Sequence, residues 1–174
     1  MIAQQFQELA NQHDTQYYIK ELKVSGTVGS KLPVAIYTLH IHHRDIPINI
    51  KFEFGNHNLA EFDFELPHSA TRPDFVIEAR DVFERLFSFN KNRWKINCEH
   101  GVFKSSLLNL VERSTLNELA KQEAFEPKIT GKKTPDSYTV KVVYYLGFNN
   151  KEQSLKVVTN FCTSLIDFII DSKL

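Results

Sequence analysis

The sequence predicts an α+β fold: an antiparallel β-meander sheet packed on one face by helices, with a long C-terminal helix. Three observations carry that expectation. Residues 34–66 contain three runs in which apolar and polar side chains alternate with a period of two. Residues 151–171 repeat their apolar side chains at helical spacing. The strand-like runs come in consecutive groups, not in alternation with helices, which disfavours a doubly wound parallel sheet.

The 174 residues are read as a single domain, 1–174. Fourteen Phe stand against one Met and one Trp, and each ring brings a large apolar area with no polar atom to satisfy. The 21 basic and 21 acidic side chains cancel, so charge gives no case for nucleic acid or an anionic membrane as partner. Cys98 and Cys162 are far apart and form no CxxC pair. Buried thiols in a reducing compartment are expected, not a disulfide scaffold or a thiolate zinc site. The opening "MIAQQFQELANQHD" is too polar for a signal peptide, and no run reaches the roughly 20 apolar residues of a membrane helix. A soluble, cytoplasmic protein is the expectation.

Taken in order, Ile2, Phe6, Leu9 and Ala10 share one face of a short helix. "YYIKELKVSG" is rich in strand formers and runs into the turn-rich "SGTVGSKLP". Three strands follow. Ala35, Tyr37, Leu39 and Ile41 face the core in the first; Ile46, Ile48, Ile50, Phe52 and Phe54 in the second; Ala60, Phe62, Phe64 and Leu66 in the third. Arg44-Asp45 and "GNHN" are the expected turns. On the opposite face, Lys51 should meet one of Glu61, Asp63 and Glu65 across the strands. Thr71, Pro73 and Asp74 have the spacing of a helix start, and Val76, Ala79, Phe83, Leu86 and Phe87 read as its stripe. "RWKINCE" reads as a short strand before a turn at His100-Gly101. Residues 105–121 read as a helix in two pieces, restarting at the capping box Thr115-x-x-Glu118. "EPKITGKKTPDS" reads as an exposed hairpin loop, "YTVKVVYYL" as a strand, and Leu155, Val158, Cys162, Leu165 and Ile169 as the spine of the final helix. Phe161, Phe168 and Ile170 widen that spine into a face that needs the meander as its partner.

"HIHHRDIPINI", residues 40–50, raises the question of a metal site. His40 and His42 are two apart on one strand, so they share a face and lie roughly 6.5 to 7 Å apart. Imidazoles at that distance can converge on zinc, with a third ligand from His57, His68, Glu61 or Asp63. The alternation puts both on the wet face, where a solvated strand explains them without a cofactor. Cys98 and His100 are neighbours in a turn, and a buried structural Cys98 is expected. The basic and aromatic residues Lys91, Arg93, Trp94 and Lys95 fit a half-buried strand better than a single-strand nucleic-acid site. GxSxG, HExxH and glycine-rich phosphate loops are absent from the sequence.

The function expected is therefore a non-enzymatic binding or protein-interaction module with no cofactor. Its partner would be a protein at a sheet edge, or an apolar small molecule held between the sheet and the C-terminal helix. Phe52, Phe54, Phe62, Phe64, Phe161, Leu165 and Phe168 would line that ligand cavity. A metal-dependent hydrolase or metal-binding protein built on His40 and His42, with zinc, is the alternative. Homo-oligomerisation through the exposed strand edge or the C-terminal helix is the third reading.

Overall fold

A computed structural model of the chain describes residues 1–25, 31–69, 71–80 and 93–172. Helix α1 (Ile2–Gln12) precedes strands β1 (Tyr17–Ser25), β2 (Lys31–His43), β3 (Ile46–Phe54), β4 (Leu59–Pro67), β5 (Phe75–Ala79) and β6 (Trp94–Cys98). Helices α2 (Gly101–Arg113) and α3 (Thr115–Gln122) follow, then β7 (Lys128–Lys133), β8 (Ser137–Tyr145) and α4 (Lys151–Asp171). The eight strands form one antiparallel sheet in the order β1-β2-β3-β4-β8-β7-β5-β6. The helices pack on one face, so the architecture is the expected α+β layer arrangement.

The meander follows from its alternation. Leu39, Ile41, Ile48, Ile50, Phe52, Phe62 and Phe64 are buried, while the side chains between them are half-buried or exposed. Arg44 and Asp45 make the first turn with φ of 49° and 64°, and His43 pairs with Ile46. Two left-handed residues give a turn whose twist matches the strands, at some cost for side chains with a Cβ. Arg44 is anchored on α4: Nε donates to Asp167 at 2.9 Å and Nη1 to Asp171 at 2.8 Å. The second turn uses Gly55, φ 111°, whose N–H donates to Asn58 Oδ1 at 3.1 Å. A Cβ at Gly55 would collide with the Pro33 backbone of β2.

The final helix runs Lys151–Asp171 as its periodicity predicts, with Leu155, Val158, Cys162, Leu165 and Ile169 buried. Besides the Arg44 anchor it is tied to the sheet by Tyr144 Oη, which donates to Ser154 Oγ at 2.9 Å. Phe161 is buried and Phe168 half-buried, but Ile170 is exposed, so the apolar face narrows at its end.

Four local expectations are corrected. Residues 75–79 are strand, not helix. Phe75 and Ile77 are the buried pair, a period-two signal hidden beneath the helical spacing of Val76 and Ala79. Asp74 caps no helix there; its Oδ1 accepts from the Lys133 N–H of β7 at 2.9 Å. Phe83, Leu86 and Phe87 lie outside the described residues. The second correction is that half of "EPKITGKKTPDS" is β7, inserted between β8 and β5. Ile129 and Gly131 face inward, and Gly131 is bare because a Cβ would collide with the Phe75 ring and the Tyr138 hydroxyl. Third, the N-cap position of the helical restart after α2 is Ser114, one residue before the predicted Thr115, and its hydroxyl makes no cap hydrogen bond but donates to the Val111 carbonyl at 2.6 Å. Fourth, the turn predicted at His100-Gly101 is the start of α2: His100 is its N-cap, and Nδ1 accepts from Phe103 N–H at 3.2 Å.

Candidate functional site

The face of the sheet away from the helices carries a cross-strand lattice of polar side chains. Register aligns Thr38, Lys51, Glu61, Val143, Lys128, Glu78 and Lys95 in one row. Lys51 does meet Glu61, at 3.9 Å, and Lys141 meets it from β8 at 2.9 Å; Lys128 pairs with Glu78 at 2.7 Å. Signs alternate along this face, so it presents no single-sign field to a polyanion or a polycation.

His40 belongs to the next row, with Asn49 and Asp63. Its Nδ1 lies 2.7 Å from Asn49 Oδ1, and Asn49 Nδ2 donates to Asp63 Oδ2 at 2.7 Å. An amide oxygen only accepts, so the ring must donate through Nδ1. The chain fixes the orientation of the imidazole and leaves Nε2 for solvent. His42 shares the face, exposed opposite Pro47. His43 points to the helix side and donates from Nε2 to Asp167 Oδ1 at 2.8 Å. The suggested third ligands are elsewhere. His57 is in the β3–β4 turn, roughly 20 Å along the strands from the His40 row. His68 donates to the Thr134 carbonyl, Glu61 is held by two lysines, and Asp63 serves Asn49. Among the described residues no three His, Cys, Asp or Glu side chains group closely enough to hold a metal ion.

The aromatic residues expected to line a cavity are split by the structure. Phe52, Phe62, Phe64, Phe161 and Leu165 lie in the core. Phe52 packs edge-on to Phe6 at 5.3 Å, Phe62 at 5.9 Å and Tyr144 at 6.1 Å between ring centres. Phe6 of α1 thus enters the space the sequence left open, and these rings pack as a core. Phe54 borders a surface groove of about 530 Å³ with Glu21, Lys23 and Val34. Phe168 borders a separate groove of about 400 Å³ with Leu110 and Arg113. Burial pushes the Cys162 thiol and the Tyr144 hydroxyl well above their usual values, so both are inert core groups.

A cleft of about 540 Å³ lies between β5–β6, the start of α2 and the end of β7, lined by Asp74, Cys98, His100 and Lys132. Cys98 is half-buried, not buried as expected. Its thiol donates to the His100 carbonyl at 3.8 Å, while the His100 ring serves the Phe103 N–H. Thiol and imidazole turn to backbone groups and not to each other, so the pair lacks the contact that activates a cysteine nucleophile. Trp94 and Ile96 are buried and Lys95 exposed, the half-buried strand that the sequence suggested; Lys91 lies outside the described residues.

One surface was missed at the sequence level. In β1 the apolar positions change parity, from Tyr17 and Ile19 to Leu22 and Val24. The paired strand changes at the same place, from Leu39 and Tyr37 to Val34 and Leu32. Partners across an antiparallel pair share a face. Beyond Tyr37 the β1–β2 hairpin therefore moves its apolar side chains to the face opposite the helices. On the helix side Ile19, Glu21 and Lys23 are exposed. Tyr18, Ile19 and Leu32 are 61%, 45% and 41% exposed, three of the seven exposed large hydrophobic residues among the described residues. The double parity switch was the available signal.

No helix among the described residues is long and apolar enough to cross a membrane. Comparison with known proteins gives no matching family model, no significantly similar curated protein and no significantly similar solved structure.

Proposed function

We propose that this chain is a non-enzymatic protein-interaction module that accepts a partner strand along β1. The condition of that edge carries the reading. β1 is nine residues long and outermost in the sheet, and it pairs with β2 alone among the described residues. One side of its backbone offers unpaired N–H and C=O groups, the template used in strand addition. Exposed Tyr18 and Ile19 flank that backbone and supply apolar contacts on both faces.

Photo-crosslinking in cells tests it. p-Benzoylphenylalanine replaces Tyr18 in the full chain, and a control carries it at Tyr145, which is exposed on the open face at 73%. An adduct of higher mass at position 18, absent at position 145, is the expected result. No adduct at position 18, or equal yields at both positions, would overturn the reading.

A further inference from the structure

We infer that the strand received at β1 is β1 of a second copy of this chain, joined in one register centred on Leu22. The inference rests on reading β1 as an interaction edge and names its occupant.

Two antiparallel edge strands of identical chains are related by a two-fold axis normal to the sheet. Facing residues then have the same parity and share a face. This leaves the registers centred on Ile19, Lys20, Glu21, Leu22 and Lys23 near the middle of the strand, and like-charge repulsion counts against three of them. Centring on Glu21 sets that carboxylate against its own copy. Centring on Lys20 or Lys23 does the same to an ammonium. Centring on Leu22 places Glu21 of each copy opposite Lys23 of the other, so both symmetry-related pairs are of opposite sign. The same register sets Leu22 on Leu22, Lys20 opposite Val24 and Ile19 opposite Ser25, all within the described strand.

The charges are available for this use. Within the chain Glu21 faces Ala35 and Lys23 faces Pro33, neither of which carries charge. Among the described residues neither Glu21 nor Lys23 enters an ion pair. Lysines on an edge strand ordinarily block pairing. Here they disfavour the registers centred on Lys20, Glu21 and Lys23; the Ile19-centred register sets no like charges together but lacks the Glu21–Lys23 pairs, so charge favours the one centred on Leu22. A net charge of zero adds no long-range repulsion between copies. One strand edge buries less than a standard interface, so the dissociation constant should be on the order of 10 µM.

Sedimentation velocity on the full chain, from about 1 µM to about 500 µM, brackets that value. A reversible monomer–dimer equilibrium is expected. Glu21→Lys alone and Lys23→Glu alone should each weaken it about tenfold, because attraction becomes repulsion at both pairs. Both sites are exposed, and circular dichroism confirms that the variants fold. Mixing the two single variants should restore association, since one chain then carries two ammonium groups at these positions and the other two carboxylates. The double variant should also restore it. A chain that stays monomeric at the highest concentration overturns the inference, and so does a dimer that ignores the substitutions or single variants that fail to associate when mixed. If the chain is monomeric while Tyr18 crosslinks to a protein of different mass, β1 remains an interaction edge and only self-pairing is lost.

Discussion

The two outermost strands of the sheet differ in length and in cover. β6 is five residues long, and its helix-side residues Trp94 and Ile96 are buried. Trp94 is held from above: its Nε1–H donates to Asn117 Oδ1 of α3 at 2.9 Å. β1 is nine residues long, and its cover is Phe6 of α1 over Tyr17, with ring centres 5.9 Å apart. Past that point the strand outruns the helical layer, and the side chains on its helix side become Glu21 and Lys23. In a sheet packed on one face, the reach of the helices decides which part of a strand is core and which part is surface. Shortness and cover are two ways to blunt an edge, and β1 has neither along most of its length.

The largest effect that would test this contrast is Trp94→Ala. The substitution empties a large buried volume and leaves Asn117 Oδ1 without its donor. A loss of about 3–5 kcal/mol is expected from the missing ring, measured by urea denaturation. A loss below about 1 kcal/mol would mean that β6 is no better embedded than β1, and the contrast would fail.

Much of this arrangement is legible in the sequence, and the failures share a physical cause. The meander, its Arg44-Asp45 turn and the last helix are long, strongly periodic segments in which burial alone selects the pattern. β5 and β7 are short. Five residues such as Phe75–Ala79 fit both a helical and an alternating reading, and long-range pairing with β6 and β7 decides between them. Gly131 looks like a loop residue in sequence. Its role depends on the Phe75 ring, more than fifty positions away in the chain. For the histidines, alternation placed His40 and His42 on the open face, but the Asn49–Asp63 chain that orients His40 required the register. β1 was under-read because a parity switch weakens the alternation that makes strands recognisable.

A smaller effect tests the other side of the contrast. Ile19→Ala removes a side chain that is 45% exposed, so its cost to folding of the isolated chain should be about 1 kcal/mol or less. Thermal or urea denaturation at low protein concentration isolates that term from any effect of association. A loss as large as that for Trp94→Ala would show that Ile19 belongs to the core, and β1 could not then serve as a free edge.

The smallest effect concerns the two ends of β2, one free and one fastened. Its start, near Leu32, lies in the exposed hairpin; its end is fastened to α4 through His43, Arg44, Asp167 and Asp171. The Arg44 guanidinium donates to both oxygens of Asp171 and holds that carboxyl below its usual range. Asp171 closes a helix whose dipole disfavours a carboxylate at its C-terminus, and Arg44 offsets this. A group whose folded pKa is depressed adds stability above its unfolded value and loses it as pH falls through the folded value. The staple should therefore be fully present above roughly pH 4 and fade below it. Asp171→Asn should lower the denaturation midpoint slightly at pH 7, and the difference from the unsubstituted chain should shrink as pH falls through the depressed folded value. Both carboxylate and guanidinium are solvent-exposed, so added salt should shrink the pH 7 difference as well. A difference that persists unchanged at low pH would assign the effect to packing of the α4 terminus, and the fastened end of β2 would then owe nothing to charge.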